Sequence, residues 1–112
     1  MSRREMSEQA FLVLTALTKE PLHGYRITQE VEELSGGRVR LRVGTLYGAL
    51  DRLAADGLIE LDREETQDGR LRRYYRLTDS GADLLAAEAR RLAANARIAT
   101  ERLGLRMAWG MA

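Results

Sequence analysis

Apolar positions recur at helical spacing in four stretches of this chain and at every second residue in others. Ser7 can cap a first helix that carries Glu8 in its first turn and Ala10, Leu14 and Leu17 behind it; Pro21 forbids its continuation. Ile27, Val31 and Leu34 predict a second helix over about 24–34, and Gly36 stands where a left-handed C-terminal glycine belongs. Arg38–Val43 then alternates basic and apolar residues strictly. That pattern predicts a short strand with Val39, Leu41 and Val43 inward and three arginines outward. Leu46, Leu50 and Leu53 share one face of a third helix, from about Thr45 to Asp56. Leu58–Leu61 and Leu71–Leu77 read as two strands joined at Asp68-Gly69, with Thr66 and Gln67 lengthening the loop. Thr78 can cap a last helix, with Asp79 against its dipole and no breaker between Gly81 and Gly104. The order is helix, helix, small strand, helix, hairpin, long helix. A mainly α winged helix-turn-helix follows, with residues 1–80 as the winged domain and 81–112 as a C-terminal dimerisation helix and tail.

Composition narrows the function classes. With 112 residues the expectation is one domain with an extension, whose single core leaves no room for a deep active site. Cysteine is absent and His23 is the only histidine, which excludes a disulfide framework, a thiol nucleophile and a His-rich metal centre. No nucleophile or carboxylate motif accompanies His23. Its expected role is structural, satisfying free backbone groups at a helix start. The reading is a non-enzyme without cofactors, with no membrane span or signal peptide, placed in the cytoplasm.

The net charge of +1 hides a local concentration of arginine, since Lys19 is the only lysine. At 100° per residue, Gly48, Asp51, Arg52 and Ala55 lie opposite the leucine face of the third helix, with Thr45 and Tyr47 on its flanks. Small Gly48 and Ala49 would allow close approach to a groove. The hydroxyls of Thr45 and Tyr47 can donate to phosphate, and Arg52 can reach a phosphate or a guanine edge. Arg40 and Arg42, outward on the small strand, join this set. After the hairpin turn come Arg70, Arg72, Arg73 and Arg76 with Tyr74 and Tyr75 between them; Arg70 and Arg72 are the expected DNA contacts, Tyr75 and Leu77 the core positions. The plainer alternative is a solvated face with Arg72 or Arg73 paired to Glu64 or Glu65. The acids at 60, 62, 64, 65 and 68 temper the wing's field in either case.

In the last helix Leu85, Ala89, Leu92, Ala96, Ala99 and Leu103 follow steps of four and three, a heptad seam that one helix cannot bury alone. A two-fold homodimer is expected, and with it a palindromic operator. Trp109, the only tryptophan, is a candidate for lining an effector pocket at that interface, against the alternative of a simple packing anchor.

Leu22-His23-Gly24-Tyr25-Arg26-Ile27, Gly44-Thr45-Leu46-Tyr47 followed by Ala49-Leu50-Asp51-Arg52-Leu53, Gly57-Leu58-Ile59, and Arg73-Tyr74-Tyr75-Arg76-Leu77-Thr78 together resemble the PadR family of bacterial transcriptional regulators, over about residues 7–85. The resemblance implies a dimeric winged-helix repressor whose third helix enters the major groove of double-stranded DNA, with Thr45 and Tyr47 in the signature and the last helix dimerising. About one helix follows Gly81, so the likeness is to the short subgroup, which lacks the longer members' domain linked to phenolic-acid sensing. Leu71 stands where relatives often carry a polar residue or proline. The expected function is a sequence-specific repressor released by a small apolar effector; the alternative is a winged-helix protein-interaction module without specific DNA binding.

Overall fold

The computed structural model describes residues 6–104. Ser7 accepts a hydrogen bond from the Ala10 amide at 3.0 Å and so starts α1 (Glu8–Ala16). After Pro21 the chain forms a two-residue strand, β1 (Leu22–His23), and turns directly into α2 (Gly24–Leu34). Then come α3 (Val43–Ala55), β2 (Ile59–Gln67), β3 (Arg70–Leu77) and α4 (Asp79–Leu103). The antiparallel sheet has the order β1-β3-β2, so the second wing strand is the central one. Val13, Leu14 and Leu17 of α1, Ile27 and Val31 of α2, Leu46, Leu50 and Leu53 of α3, and Ile59 form the buried core. Tyr75, Leu77 and Leu85 pack on its edge.

Three local expectations need correction. Arg38–Val43 is not a strand: Val39 and Leu41 lie half-buried against the core, and Val43 opens α3 at 68 % exposure. The alternation of burial is partly there, but a strand also needs a partner, and the free edge of β3 is taken by β1. The segment is anchored instead by Ser35, whose Oγ accepts from the Val39 amide at 2.9 Å. Leu34 is likewise exposed rather than part of the buried stripe. Thr66 and Gln67 belong to β2, opposite Leu71 and Arg70, so the connection is a two-residue turn. Both turn residues have positive φ, Asp68 at 51° and Gly69 at 76°, as the type I′ hairpin demands.

The start of α4 is riveted to the end of α3. Thr78 donates its hydroxyl to the Gly57 carbonyl at 2.7 Å and accepts from the Gly81 amide at 3.0 Å, while its own amide donates to the Leu58 carbonyl at 3.1 Å. Gly81 is buried there, and a Cβ on it would stand 2.1 Å from the Leu58 carbonyl oxygen. Past Leu85 the helix leaves the core. Its 25 residues extend roughly 37 Å in a molecule 57 Å along its longest axis. Among the described residues no helix is long and apolar enough to cross a membrane.

Candidate nucleic-acid interface

α3 buries Leu46, Ala49, Leu50 and Leu53 and leaves Gly44, Thr45, Tyr47, Asp51, Arg52 and Ala55 exposed, with Gly48 half-exposed. Ala49 therefore faces the domain, and close approach to the outer face falls to Gly48 and Gly44. Buried Ala49 lies beside the leucines on the helical wheel, a position too near the core face for groove contact. Tyr47 leaves one flank of α3, Thr45 and Arg52 the other. The Arg52 guanidinium lies 3.6 Å from where a Cβ on Gly48 would stand, so it lies along the outer face.

The Tyr47 flank opens onto a groove of about 640 Å³, walled by the wing residues Arg70, Leu71, Arg72 and Arg73 and floored by His23, Gly24 and Tyr25. Tyr47 reaches it because α2 begins with glycine: a Cβ on Gly24 would meet the Tyr47 hydroxyl at 2.6 Å. Tyr25, 70 % exposed, also lines this groove, and its one signal in the sequence is the His-Gly-Tyr triplet at a helix start.

The wing sorts its charges by cross-strand register. Arg73 faces Glu64 and pairs with it at 3.2 Å, and Arg76 donates through Nε to Glu60 at 2.7 Å. A bulge after Leu61 brings Arg63 opposite Tyr74, where its guanidinium lies 3.9 Å above the ring and bonds Asp62 and Glu65. Four of the five acids near the wing are thereby spent on Arg63, Arg73 and Arg76. Among the described residues Arg70 and Arg72 have no carboxylate partner; nor do Arg42, at the N-cap of α3, and Arg52. Arg40 pairs with Glu32 of α2 at 3.4 Å while remaining 75 % exposed, a contact solvent makes weak.

Arg72 donates through Nη1 to His23 Nε2 at 3.2 Å. At the N-cap of α2 the His23 side chain makes no capping bond, so its role is not the backbone satisfaction expected for it: the ring turns toward the wing. Burial first, then the nearby Arg72 and Arg26 charges, holds its pKa below the ordinary imidazole value. The unfolded chain takes up the proton at about pH 6.5 while the folded one resists it, so stability is lost as pH falls below that value toward the depressed folded pKa. Urea unfolding at several pH values between about 7 and 5 will show this slope, and His23→Gln will flatten it.

In α4, Ala89, Leu92, Ala96, Ala99 and Leu103 are exposed, whereas Leu85 is half-buried against its own core. Ile98, also exposed, lies away from this seam. Trp109 is outside the described residues.

Known proteins share this fold. A model of the transcriptional regulator PadR-like family matches residues 13–87. Transcriptional regulator Rv3488 of Mycobacterium tuberculosis is 43% identical over 76 residues, 68% of this chain and 67% of that protein. An uncharacterized 37.1 kDa protein in transposon TN4556 of Streptomyces fradiae is 44% identical over 87 residues, and the match spans 78% of this chain but only 24% of that protein. Among solved structures, a PadR family transcription regulator from Clostridium difficile R20291 superposes with TM-score 0.75 at 27% identity, covering 87% of this chain and 99% of that one. Bacillus subtilis PadR in complex with operator DNA superposes with TM-score 0.62 at 30% identity, covering 70% of this chain and 45% of that one.

Proposed function

Because this chain belongs to the PadR-like family of transcriptional regulators, we propose that it binds an operator in double-stranded DNA as a homodimer and represses by occupying it. α3 enters the major groove with Gly44, Thr45, Gly48 and Arg52 toward the bases. The wing lays Arg70 and Arg72 on the flanking phosphates, and Arg40 and Arg42 reach backbone at the entry to α3. The observation that carries this reading is the sorting of charge: the hairpin's carboxylates neutralise Arg63, Arg73 and Arg76 and leave the two arginines beside Tyr47 available. The operator complex of the Bacillus subtilis relative supports it. Repression by occupancy needs a DNA surface and a pairing surface; the exposed outer face of α3 with the wing supports the first role, and the exposed α4 stripe supports the second. Pairing through α4 makes the operator palindromic, with half-sites about 34 Å apart or a multiple of it. The release signal that fits the alanine-rich seam is a small apolar molecule taken up between paired helices, and a protein acting on DNA in this way works in the cytoplasm.

Selection of bound duplexes from random DNA by the purified protein tests the reading. A palindrome is expected; equal anisotropy titrations on the selected and a scrambled duplex would refute it. Arg70→Ala will weaken binding to the selected and the scrambled duplex alike and lower the slope of log affinity against log salt by about 1.

A further inference from the structure

We infer that His23 is a positioning residue for DNA binding, holding Arg72 of the wing in the groove beside Tyr47 as a neutral hydrogen-bond acceptor. The inference rests on the reading that Arg72 contacts the DNA backbone.

The placement is set by register. His23 stands opposite Tyr74 across the β1–β3 pair, and Arg72, two residues before Tyr74, projects from the same face of β3. His23 and Arg72 are thus diagonal neighbours, and Nη1 meets Nε2 at 3.2 Å. The imidazole is itself held: Tyr74 meets it edge-on, with ring centroids 5.2 Å apart at 82°. Tyr74 carries the Arg63 guanidinium on its face at 3.9 Å, and Arg63 is fixed by Asp62 and Glu65. A guanidinium only donates, so the imidazole must present a lone pair at Nε2 and carry its proton on Nδ1.

The neighbouring arginines show what this choice of acceptor does. Arg73 and Arg76 are oriented by Glu64 and Glu60, whose negative charge lies against theirs and offsets part of the local field. Arg72 is oriented by an uncharged group, so its direction is set while its full positive charge and its other N–H donors stay available to a phosphate. Nothing else described in the groove plays this part: Tyr25 and Tyr47 line it without a bond to Arg72, and Arg70 carries no acceptor.

A double-mutant cycle on the full chain, read by anisotropy on the selected operator, tests the inference. His23→Phe keeps a ring against Tyr74 and removes the acceptor; a fall in affinity of up to about tenfold is expected. In that background Arg72→Ala will cost clearly less than it does in the parent, because the part of Arg72's contact that depends on its orientation is already lost. His23→Gln, whose amide oxygen can accept, will restore most of the affinity. His23→Glu will orient Arg72 but cancel its charge, weakening binding with a shallower salt slope. Fully additive losses for His23→Phe and Arg72→Ala would overturn the positioning role while leaving Arg72 as a DNA contact. An Arg72→Ala protein that binds as tightly as the parent would instead sink the wing-contact reading, and the inference with it. If the phenylalanine variant loses its thermal transition, the Gln and Glu variants carry the comparison: equal affinities and salt slopes for those two would also overturn the role.

Discussion

Gly81→Ala will unfold a large share of the protein or cost it about 3 kcal/mol or more, the upper range for forcing an extra methyl into a packed site. The Cβ would lie 2.1 Å from the Leu58 carbonyl oxygen and 2.9 Å from Leu77 Cδ1. The first of these is backbone, already engaged by the Thr78 amide, so no rotamer change relieves the clash. Either α4 tilts away from the α3–β2 connection or the Thr78 bonds to Gly57 and Gly81 break, and both routes unseat Leu85 from the core. A domain of this size should lose at least about 12 °C of melting temperature, compared at equal protein concentration. Gly48→Ala is the control. Its Cβ would meet only Arg52 Nη1 at 3.6 Å, an ordinary contact, and alanine favours the helix by roughly 0.5–1 kcal/mol. A Gly81→Ala protein that melts like the parent would show that the α4 joint is looser than its hydrogen bonds indicate.

Charging the α4 seam will separate the two functions that the proposed dimer combines. Leu92→Glu with Ala99→Glu places carboxylates at the exposed positions of the stripe, far from the core, and glutamate is itself a good helix former. The winged domain should therefore stay folded. Sedimentation at micromolar concentration will give a monomer, and affinity for a full palindromic operator will fall about a hundredfold or more, as the second half-site no longer adds its contacts. Affinity for a single half-site will change little, which separates lost pairing from a damaged reading surface. A double variant that still sediments as a dimer would place the pairing surface elsewhere.

The two expected results also mark where the chain's local code ends. A helix is held by bonds between residues four apart, so Ser7, Thr78 and the Gly24–Leu34 stripe announce α1, α4 and α2 without reference to the rest of the fold. The same holds for Asp68-Gly69, whose positive φ angles belong to the turn itself. The alternating Arg38–Val43 misleads for the complementary reason: alternation reports which side chains face inward, while a strand exists only where another offers its unpaired edge. Two residues at Leu22–His23, too short to show any period, found that edge on β3.

The order of helices and wing, the side-chain caps of α1 and α4 and the place of the hairpin turn were legible locally in the sequence, because each depends on groups within a few residues of one another. Only the packed fold decided which arginines sit against a carboxylate and which do not, since that depends on the register of β2 against β3 and on one bulge beside Asp62. It also decided that Gly24 makes room for Tyr47, that Gly81 admits the Leu58 carbonyl, and that His23 turns from the backbone to Arg72. Each of these joins residues more than twenty positions apart, at distances that only the packed chain sets.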